Sequence, residues 1–183
     1  RLIGMLCRLE DAIFIFYNLV TIPRIRQVDT KTLTRRYIML YIGVDLGTSA
    51  VKLLLMDEKG GIKKIVSKEY ELHFPHPGWS EQKPEDWYSQ SMEGIKELIS
   101  ECDKSQVAGI SFGGQMHGLV VLDEDDDVIR PAILWNDGRT QKETDYLNNK
   151  IGKDKLSQYT ANIAFAGFTA PKILWMKKNE PEK

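Results

Sequence analysis

Two apolar runs joined by a short polar turn occupy residues 41–57 and constrain the fold more than any other stretch. Apolar side chains recur at every second position, namely Leu40, Ile42, Val44 and Leu46 before the turn and Val51, Leu53 and Leu55 after it. A period of two is typical of strands that bury one face. The pattern therefore predicts a β-hairpin with at least one buried face.

The turn of this hairpin combines residues that suit an anionic ligand. Gly47 lets the backbone bend and a ligand approach closely, while Thr48 and Ser49 offer hydroxyl groups and consecutive backbone N–H donors. Such consecutive donors form concave sites for phosphate. Asp45, at the end of the first strand, is placed to hold Mg²⁺ directly or through water. An ordinary hairpin, whose Asp and Ser side chains satisfy their own turn, explains the same residues, and both interpretations stay open here.

The composition is that of an ordinary globular domain. Of the 183 residues, 42% are hydrophobic and 28% are charged, which leaves room for one domain. The formal net charge of −1 divides into +4 over residues 1–38 and −5 over the remainder, and a slightly acidic body favours no nucleic-acid partner. Cys7 and Cys102 are too few and too far apart for a disulfide framework or a metal site. A reducing cytoplasm is the expected compartment.

Residues 1–38 differ from the rest of the chain because they show no sustained hydrophobic period. Their apolar stretch, residues 12–22, is too short for a membrane span of about 20 residues, and no secretory cleavage site follows it. We expect an extension unrelated to the fold, either non-native upstream sequence or a disordered tail, with Met39 as the natural start. An amphipathic surface helix over residues 9–20 is the alternative.

The residues after the hairpin predict the further elements of a mixed α/β domain. Alternation predicts a third strand over residues 62–74, and helical spacing after Pro84 predicts a helix over residues 84–100. The apolar strand at residues 107–112 follows a helical crossover, which indicates that it runs parallel to an earlier strand. Later predicted elements are a hairpin with arms at residues 119–122 and 128–135, helices at residues 140–149 and 171–178, and an irregular stretch at residues 160–169.

Two polar clusters with glycines follow predicted strands. In residues 114–118, which we call the glycine loop, glycines flank three functional side chains at a strand end. That arrangement suits the close approach of a ligand. Residues 135–139 form a similar cluster, with Gly138, at the end of the later hairpin arm.

Two other polar groups have simpler explanations. The five consecutive acids at residues 123–127 could hold a metal, but a solvated turn is the better interpretation. His73 and His76 lack a third ligand at suitable spacing, so they are expected to be solvated loop histidines.

These motifs, in this order and spacing, resemble the FGGY family of carbohydrate kinases, in particular its xylulokinase branch. The resemblance covers residues 39–183, and the strings that carry it are residues 41–52, 78–82, 114–118, 130–139 and 167–172. Gln-Met-His-Gly at residues 115–118 together with Trp-Asn-Asp-Gly-Arg at residues 135–139 is specific for that branch. Glycerol kinases carry Arg and Glu where Met116 and His117 stand.

The resemblance implies the α/β, ribonuclease-H-like fold of actin-like ATPases, of which this chain is an incomplete N-terminal lobe. It implies a kinase that transfers the γ-phosphoryl of ATP to the 5-hydroxyl of D-xylulose with Mg²⁺. Each motif then has an expected role: Gly47, Thr48 and Ser49 face the phosphates, Asp45 supports the magnesium ion and the transferring group, Met116 and His117 contact the sugar, and Trp135 and Asp137 line its pocket. Phosphoryl transfer needs mainly such positioning and charge neutralisation.

The chain departs from the family pattern at two small positions and in its length. Ala161 and Ala166 stand where relatives usually show Gly and Pro. The family's general base, an Asp, and its adenine pocket belong to the part expected after Lys183, so we expect an N-terminal fragment that needs this part as a partner and is inactive alone. For the full-length enzyme, a homodimer is one of the expected oligomeric states. The alternatives are a kinase for another sugar or polyol, such as ribulose, and a non-catalytic sugar-binding module.

Overall fold

The computed structural model describes residues 38–183, so the extension predicted over residues 1–38 lies, apart from Ile38, outside the described residues. The described residues form two compact units. The first comprises residues 38–46, Ala50–Lys68 and Gln90–Gly113, and the second comprises Gly47–Ser49, Glu69–Ser89 and Gly114–Lys183. Within residues 38–183, every helix is too short or too polar to cross a membrane.

The strands of the predicted hairpin lie in the first unit. Strand β1, Leu40–Leu46, pairs antiparallel with strand β2, Ala50–Asp57, in a register that places Leu40 opposite Asp57 and Leu46 opposite Val51. The buried side chains are the alternating apolar residues of the sequence pattern, namely Leu40, Ile42, Val44, Val51, Leu53 and Leu55. The predicted hairpin with a buried face is confirmed.

Two more strands, β3 (Ile62–Glu69) and β5 (Val107–Gly114), complete a four-stranded sheet in the order β3-β2-β1-β5. The prediction that β3 continues to residue 74 was wrong. The backbone of His73 instead exchanges two hydrogen bonds of 2.9 Å with the backbone of Glu81. Alternation of apolar and polar residues persists beyond Glu69, but the segment that pairs with it changes.

Helix α1, Pro84–Leu98, starts at the predicted proline and ends two residues before the predicted end. Its residue Gly94 faces the sheet at a point where an added Cβ would clash with the Leu53 side chain. Glycine therefore allows the helix to approach the sheet closely. On the surface, Lys68 of β3 forms an ion pair of 2.7 Å with Glu97 of α1. A short 3₁₀ helix, Lys104–Gln106, then leads into β5.

In the second unit, strand β4 (Glu81–Gln82) pairs antiparallel with strand β6 (Ala132–Ile133). The predicted hairpin over residues 119–135 is present only as single bridges, which join Leu119 to Ile133 and Leu122 to Val128. Its acidic tip is a turn closed on itself, because the Asp123 carboxylate accepts the backbone N–H groups of Asp125 and Asp127 at 2.9 Å. The expected solvated turn thus has a specific hydrogen-bonding basis.

Helices α2 (Gln141–Tyr146), α3 (Lys153–Thr160) and α4 (Thr169–Asn179) follow, with a π-helical segment, Leu147–Gly152, between α2 and α3. The helix predicted at residues 171–178 is confirmed as α4, whereas the one predicted at residues 140–149 divides into α2 and the π-helical segment. Helix α3 was not predicted. Its side chains are almost all exposed, so the sequence carries no apolar stripe there.

The core of the second unit lies between β6 and α4. Leu119, Ile133, Trp175 and Met176 form its buried centre, and Trp79, Val121 and Ile129 pack against them. Because α4 is anchored through Trp175 and Met176, the residues on its first turn have fixed positions relative to the loops that precede β4 and follow β6.

Candidate functional site

The hairpin turn, Gly47–Ser49, is held through its backbone carbonyl groups. The Tyr70 hydroxyl donates to the Gly47 carbonyl, and the Tyr70 backbone N–H donates to the Ser49 carbonyl at 3.3 Å. The Thr48 carbonyl accepts from Nε2 of Gln82 at 2.6 Å. All three carbonyl groups of the turn are therefore bonded to protein donors, which fixes the turn from the side that an anion does not use.

The Thr48 hydroxyl connects this turn to the cluster at residues 135–139. Trp135 donates its indole Nε1–H to Thr48 Oγ1 over 3.0 Å. Indole is a donor only, whereas a hydroxyl both donates and accepts, so Thr48 retains its own proton for a further acceptor. The Trp135 side chain is 48% exposed, which leaves part of the ring open to a ligand.

Gln82 is the polar residue at the centre of these contacts, and it is only 1% exposed. Its Oε1 accepts from Nε1 of Trp87 at 3.0 Å and from Nε2 of Gln115 at 3.1 Å. With the bond to Thr48, one amide group contacts the hairpin turn, helix α1 and the glycine loop. Sequence reasoning included Gln82 in a motif string but gave it no role. No sequence signal marked Gln82, because its burial and its partners are visible only in the structure.

The glycine loop presents Met116 and His117 at the surface. Met116 is 67% exposed. His117 adopts the left-handed conformation, with φ of 63°, and its ring stacks on Phe168 with centroids 4.3 Å apart. The His117 carbonyl accepts from the Lys172 ammonium at 2.7 Å and from the Thr169 hydroxyl at 3.3 Å. The first turn of α4 therefore holds the backbone of this loop while its two side chains remain accessible.

Lys172 is fully buried and was not singled out by the sequence. Its Nζ also donates to the Gly167 carbonyl at 2.7 Å. A Cβ added at Gly167 would overlap the Trp135 carbonyl, so the chain approaches Trp135 as closely as glycine permits. Lys172 thus ties the glycine loop to the segment that packs against Trp135.

The environment of Lys172 disfavours its charge. Burial lowers the pKa of Lys172 from 10.5 to about 8; the Arg139 guanidinium acts in the same direction, and the Asp137 carboxylate opposes it. Two carbonyl oxygens solvate the ammonium only partly. Because the pKa of Lys172 is lowered on folding, the unfolding free energy depends on pH between about 8 and 10.5.

We therefore expect the chain to gain stability relative to its Lys172→Met variant as the pH rises from about 8 to about 10.5. In that range the unfolded chain binds the Lys172 proton and the folded chain releases it, so the unfolding free energy rises with pH. The gain should approach about 3 kcal/mol. Urea unfolding at pH 7.5, 9 and 10.5 measures it, with Lys155→Met on the exposed face of α3 as the control. A wild-type-minus-variant difference that stays constant over this range would contradict the buried charge.

Asp137 lies beneath the loop rather than at its surface, with its side chain fully buried. Its Oδ2 accepts the Ser80 backbone N–H at 2.7 Å, and its Oδ1 accepts both the Arg139 backbone N–H and Nε at 2.9 Å. These bonds shape the Trp135–Arg139 turn. The expected place of Asp137 in a sugar pocket stays a prediction.

Arg139 belongs to a buried group of charges that we call the arginine cluster, formed by Glu81, Arg130, Asp137, Arg139 and Glu180. Arg139 contacts Glu81 at 2.7 Å and Asp137 at 2.8 Å. Arg130 also contacts Glu81 and forms a two-pronged bond of 2.8 Å to both oxygens of Glu180. The cluster thereby connects β4, β6 and the end of α4.

Two tryptophans enclose the Arg139 guanidinium. Its carbon lies 3.7 Å from the centroid of Trp79 and 4.9 Å from that of Trp175. Stacking on aromatic faces stabilises a guanidinium that has left water. The charged groups of the arginine cluster bind one another, so the cluster stabilises the structure and supports the loop that carries Trp135.

The structure thus brings Trp135 into direct contact with Thr48 of the Gly47–Ser49 turn. It links Met116 and His117 to this pair through Gln82, Gln115 and Lys172. Asp45 lies in the first unit and is described there. It is exposed near the end of β1, opposite Lys52, and a Cβ added at Gly113 would lie 4.0 Å from its Oδ1. An open depression of about 490 Å³ is lined by residues 74–80 and Asn136, so it contains none of the predicted site residues.

The chain is similar to curated xylulose kinases over part of their length. The chain spans about 29% of the length of the curated relatives it matches. Xylulose kinase of Bacillus subtilis is 49% identical over 143 residues, which make up 77% of this chain and 28% of that protein.

Solved structures agree in fold. A xyloylose kinase from Brucella ovis matches with a TM-score of 0.73 and 42% identity, covering 78% of this chain and 30% of that one. Gluconate kinase from Lactobacillus acidophilus matches with a TM-score of 0.74 and 29% identity, covering 79% of this chain and 29% of that one. The expected actin-like ATPase fold, of which the chain forms an N-terminal part, is confirmed. Residues 40–183 match the family model of the N-terminal domain, and the chain belongs to the FGGY family of carbohydrate kinases.

Proposed function

We propose that this chain is the N-terminal part of an ATP-dependent xylulokinase, which transfers the γ-phosphoryl of ATP to the 5-hydroxyl of D-xylulose. The observation that carries the proposal is the hydrogen bond from Trp135 to Thr48. It connects a half-exposed aromatic ring, suited to the apolar face of a sugar, with a glycine-containing turn suited to phosphate. Phosphoryl transfer requires the acceptor sugar and the donor phosphate to lie next to each other, as this ring and this turn do.

Each residue at this place has a task that its geometry allows. The N–H groups of Gly47–Ser49 and the Thr48 hydroxyl donate to phosphate oxygens. Met116 and His117 contact the sugar hydroxyl groups, and Trp135 forms a wall of the sugar pocket. Asp137 keeps that wall in place through Arg139 and also borders the pocket. All of these groups orient the reactants, which is the main protein contribution to phosphoryl transfer.

Asp45 is the residue that we assign to magnesium. Mg²⁺ prefers one or two carboxylates together with substrate phosphates and water. The Asp45 carboxylate is exposed, and the neighbouring strand presents Gly113 to it without a side chain, so the residues fit such a site. The ion would neutralise charge on the transferring phosphoryl group. The Asp45 carboxylate would coordinate the ion directly or through a water molecule, and it would thereby keep the ion at the end of β1.

The proposal includes the setting of the whole enzyme. The remainder of the kinase supplies the general base and the adenine pocket, so the chain alone is expected to be inactive. We place the enzyme in the cytoplasm, with a homodimer as the oligomer to be tested. A kinase for another sugar or polyol is the second candidate, because the gluconate kinase of Lactobacillus acidophilus, an enzyme named for a different substrate, has a very similar fold.

A chimera tests the function directly. Residues 40–183 would be joined to the part of the Bacillus subtilis xylulose kinase that follows its matched region. We expect phosphorylation of D-xylulose with Mg²⁺ and ATP by the chimera, and none by the 183-residue chain alone. Turnover of gluconate without turnover of D-xylulose would contradict the assigned sugar. Sustained turnover by the chain alone would contradict the need for a further part.

Two substitutions of His117 separate its ring from its backbone conformation. Both His117→Ala and His117→Gly should lower the affinity of the chimera for D-xylulose by roughly five- to 150-fold, because a hydrogen bond worth about 1–3 kcal/mol is lost. Glycine relieves the left-handed strain that alanine keeps, so the Gly variant should be the more stable by about 1 kcal/mol. Calorimetric titration and thermal melting measure the two quantities. Unchanged affinity with a large loss of stability in the Ala variant would assign His117 to the structure rather than to the sugar.

A further inference from the structure

Gln82 joins two segments to which the proposed function assigns different substrates. The hairpin turn faces phosphate in that proposal, and the glycine loop faces the sugar. Nε2 of Gln82 donates to the Thr48 carbonyl at 2.6 Å, and Oε1 accepts from Gln115 at 3.1 Å. One rigid, planar amide therefore spans the distance between the two segments.

The orientation of this amide follows from its neighbours. The Trp87 indole Nε1–H lies 3.0 Å from Oε1 and can only donate, so the oxygen must face it. The Thr48 carbonyl can only accept, so the nitrogen must face that side. A side chain with a donor and an acceptor at this spacing is needed, and the glutamine amide provides both without charge at any physiological pH.

The position of Gln82 itself is fixed. Its backbone lies in β4 opposite Ala132 of β6, and its side chain is 1% exposed. The adjacent carboxylate, Glu81, is directed to Arg130 and Arg139 and not to the Gln82 amide. The groups that contact the Gln82 amide, in Thr48, Trp87 and Gln115, carry no charge. The amide is thus a buried and rigid bridge.

We propose that Gln82 is a positioning residue that fixes the hairpin turn and the glycine loop relative to each other, so that phosphate donor and sugar acceptor meet at a set separation. This inference rests on the proposed function and assigns a role within that same site. Gln82 touches neither substrate. Its loss should therefore lower kcat more than it raises KM, since misplacement by about 1 Å can reduce a rate about 10²-fold.

Two substitutions of Gln82 distinguish the loss of its hydrogen-bond donor alone from the loss of donor and acceptor together. Gln82→Glu keeps an oxygen for Trp87 and Gln115 but, when ionised, has no donor for the Thr48 carbonyl. Gln82→Met keeps the size and removes donor and acceptor together. Gln158→Glu, on the exposed face of α3, makes the same chemical change away from the site and serves as the control.

In the chimera, Gln82→Glu at pH 8 should lower kcat by about 10- to 100-fold while KM for D-xylulose changes less than about threefold. The rate relative to wild type should recover as the pH falls towards 5.5, because a buried carboxyl becomes neutral at a raised pKa and then donates its O–H to the Thr48 carbonyl. Gln82→Met should lose rate at both pH values and raise KM as well. A rate ratio that does not depend on pH would overturn the role of the donor.

The 183-residue chain gives a readout that needs no activity. Its four tryptophans give four indole N–H resonances in a ¹⁵N spectrum, assignable by Trp→Phe variants. Gln82→Glu should shift the resonances of Trp87 and, through Thr48, of Trp135, and it should leave Trp79 and Trp175 unchanged. An unchanged Trp135 resonance would overturn the bridge. An inactive wild-type chimera would contradict the proposed function instead, and the spectrum would then decide whether the bridge itself exists.

Discussion

Replacement of Arg139 by methionine is expected to lower the unfolding free energy by about 3–5 kcal/mol, the largest stability effect anticipated for this chain. The Arg139 side chain is 1% exposed and contacts Asp137 and Glu81 at 2.8 and 2.7 Å. Without it, Asp137 keeps only two backbone N–H donors, those of Ser80 and of position 139 itself, and Glu81 keeps only Arg130 as an ionic partner. Removing one member of a buried ion pair leaves the other charge without compensation, and that is the main source of the loss. Contact with Trp79 is lost as well.

Urea unfolding of the chain, followed by tryptophan fluorescence, measures this loss, because Trp79 and Trp175 flank Arg139. Lys142→Met removes a positive charge from an exposed position of α2 and should change stability by less than about 0.5 kcal/mol. The triple variant Arg139→Met, Asp137→Asn, Glu81→Gln removes the stranded charges and should recover part of the loss. A loss below about 1 kcal/mol for Arg139→Met would show that the arginine cluster is solvated in solution.

Asp45→Asn has the largest expected effect on catalysis. In the chimera we expect kcat to fall by at least about 10²–10³-fold, the range found when a group that stabilises developing charge is removed. Asparagine keeps the size of the side chain and one oxygen but not the negative charge that Mg²⁺ requires. KM for D-xylulose should change little, because Asp45 serves the phosphoryl group and not the sugar.

The same substitution at the far end of the hairpin provides the control for Asp45. Asp57 lies at the end of β2, where its carboxylate accepts the N–H groups of Lys59 and Gly61 and pairs with Lys63. Asp57→Asn should leave kcat unchanged, because that carboxylate serves a turn. Full activity of the Asp45→Asn chimera, combined with a lowered melting temperature, would mean that Asp45 has the same kind of structural role as Asp57.

The sequence predicted those parts of the fold in which one hydrophobic period coincides with one element. The β1–β2 hairpin and helix α1 are such cases, because their apolar positions face a single core. The boundary at Glu69 could not be read from the pattern, since residues 70–74 keep the alternation while His73 pairs with Glu81. Helix α3 was not predicted for the opposite reason. Its side chains are exposed, so its sequence shows no hydrophobic period.

The candidate site was predictable where glycine and polar residues coincide at strand ends, as at Thr48, His117 and Trp135. Gln82, Arg139 and Lys172 were missed because their importance depends on partners distant in the chain. Lys172 meets the His117 carbonyl 55 positions away, and Gln82 meets Thr48 34 positions away. A buried polar residue looks like any other polar residue until its partners are known. Asp137 illustrates the same limit, since its motif indicates a place near the sugar while its bonds go to Ser80 and Arg139.

The two outer strands of the four-stranded sheet, β3 and β5, differ in charge. β3 carries Lys63, Lys64 and Lys68, and lysines on an outer strand discourage the addition of another strand. β5, with the sequence VAGISFGG, has no charged residue, and its Phe112 is 59% exposed. Self-association of the isolated chain through strand addition should therefore proceed from the β5 side. A charged residue in place of Phe112 is the change that should keep concentrated solutions monomeric.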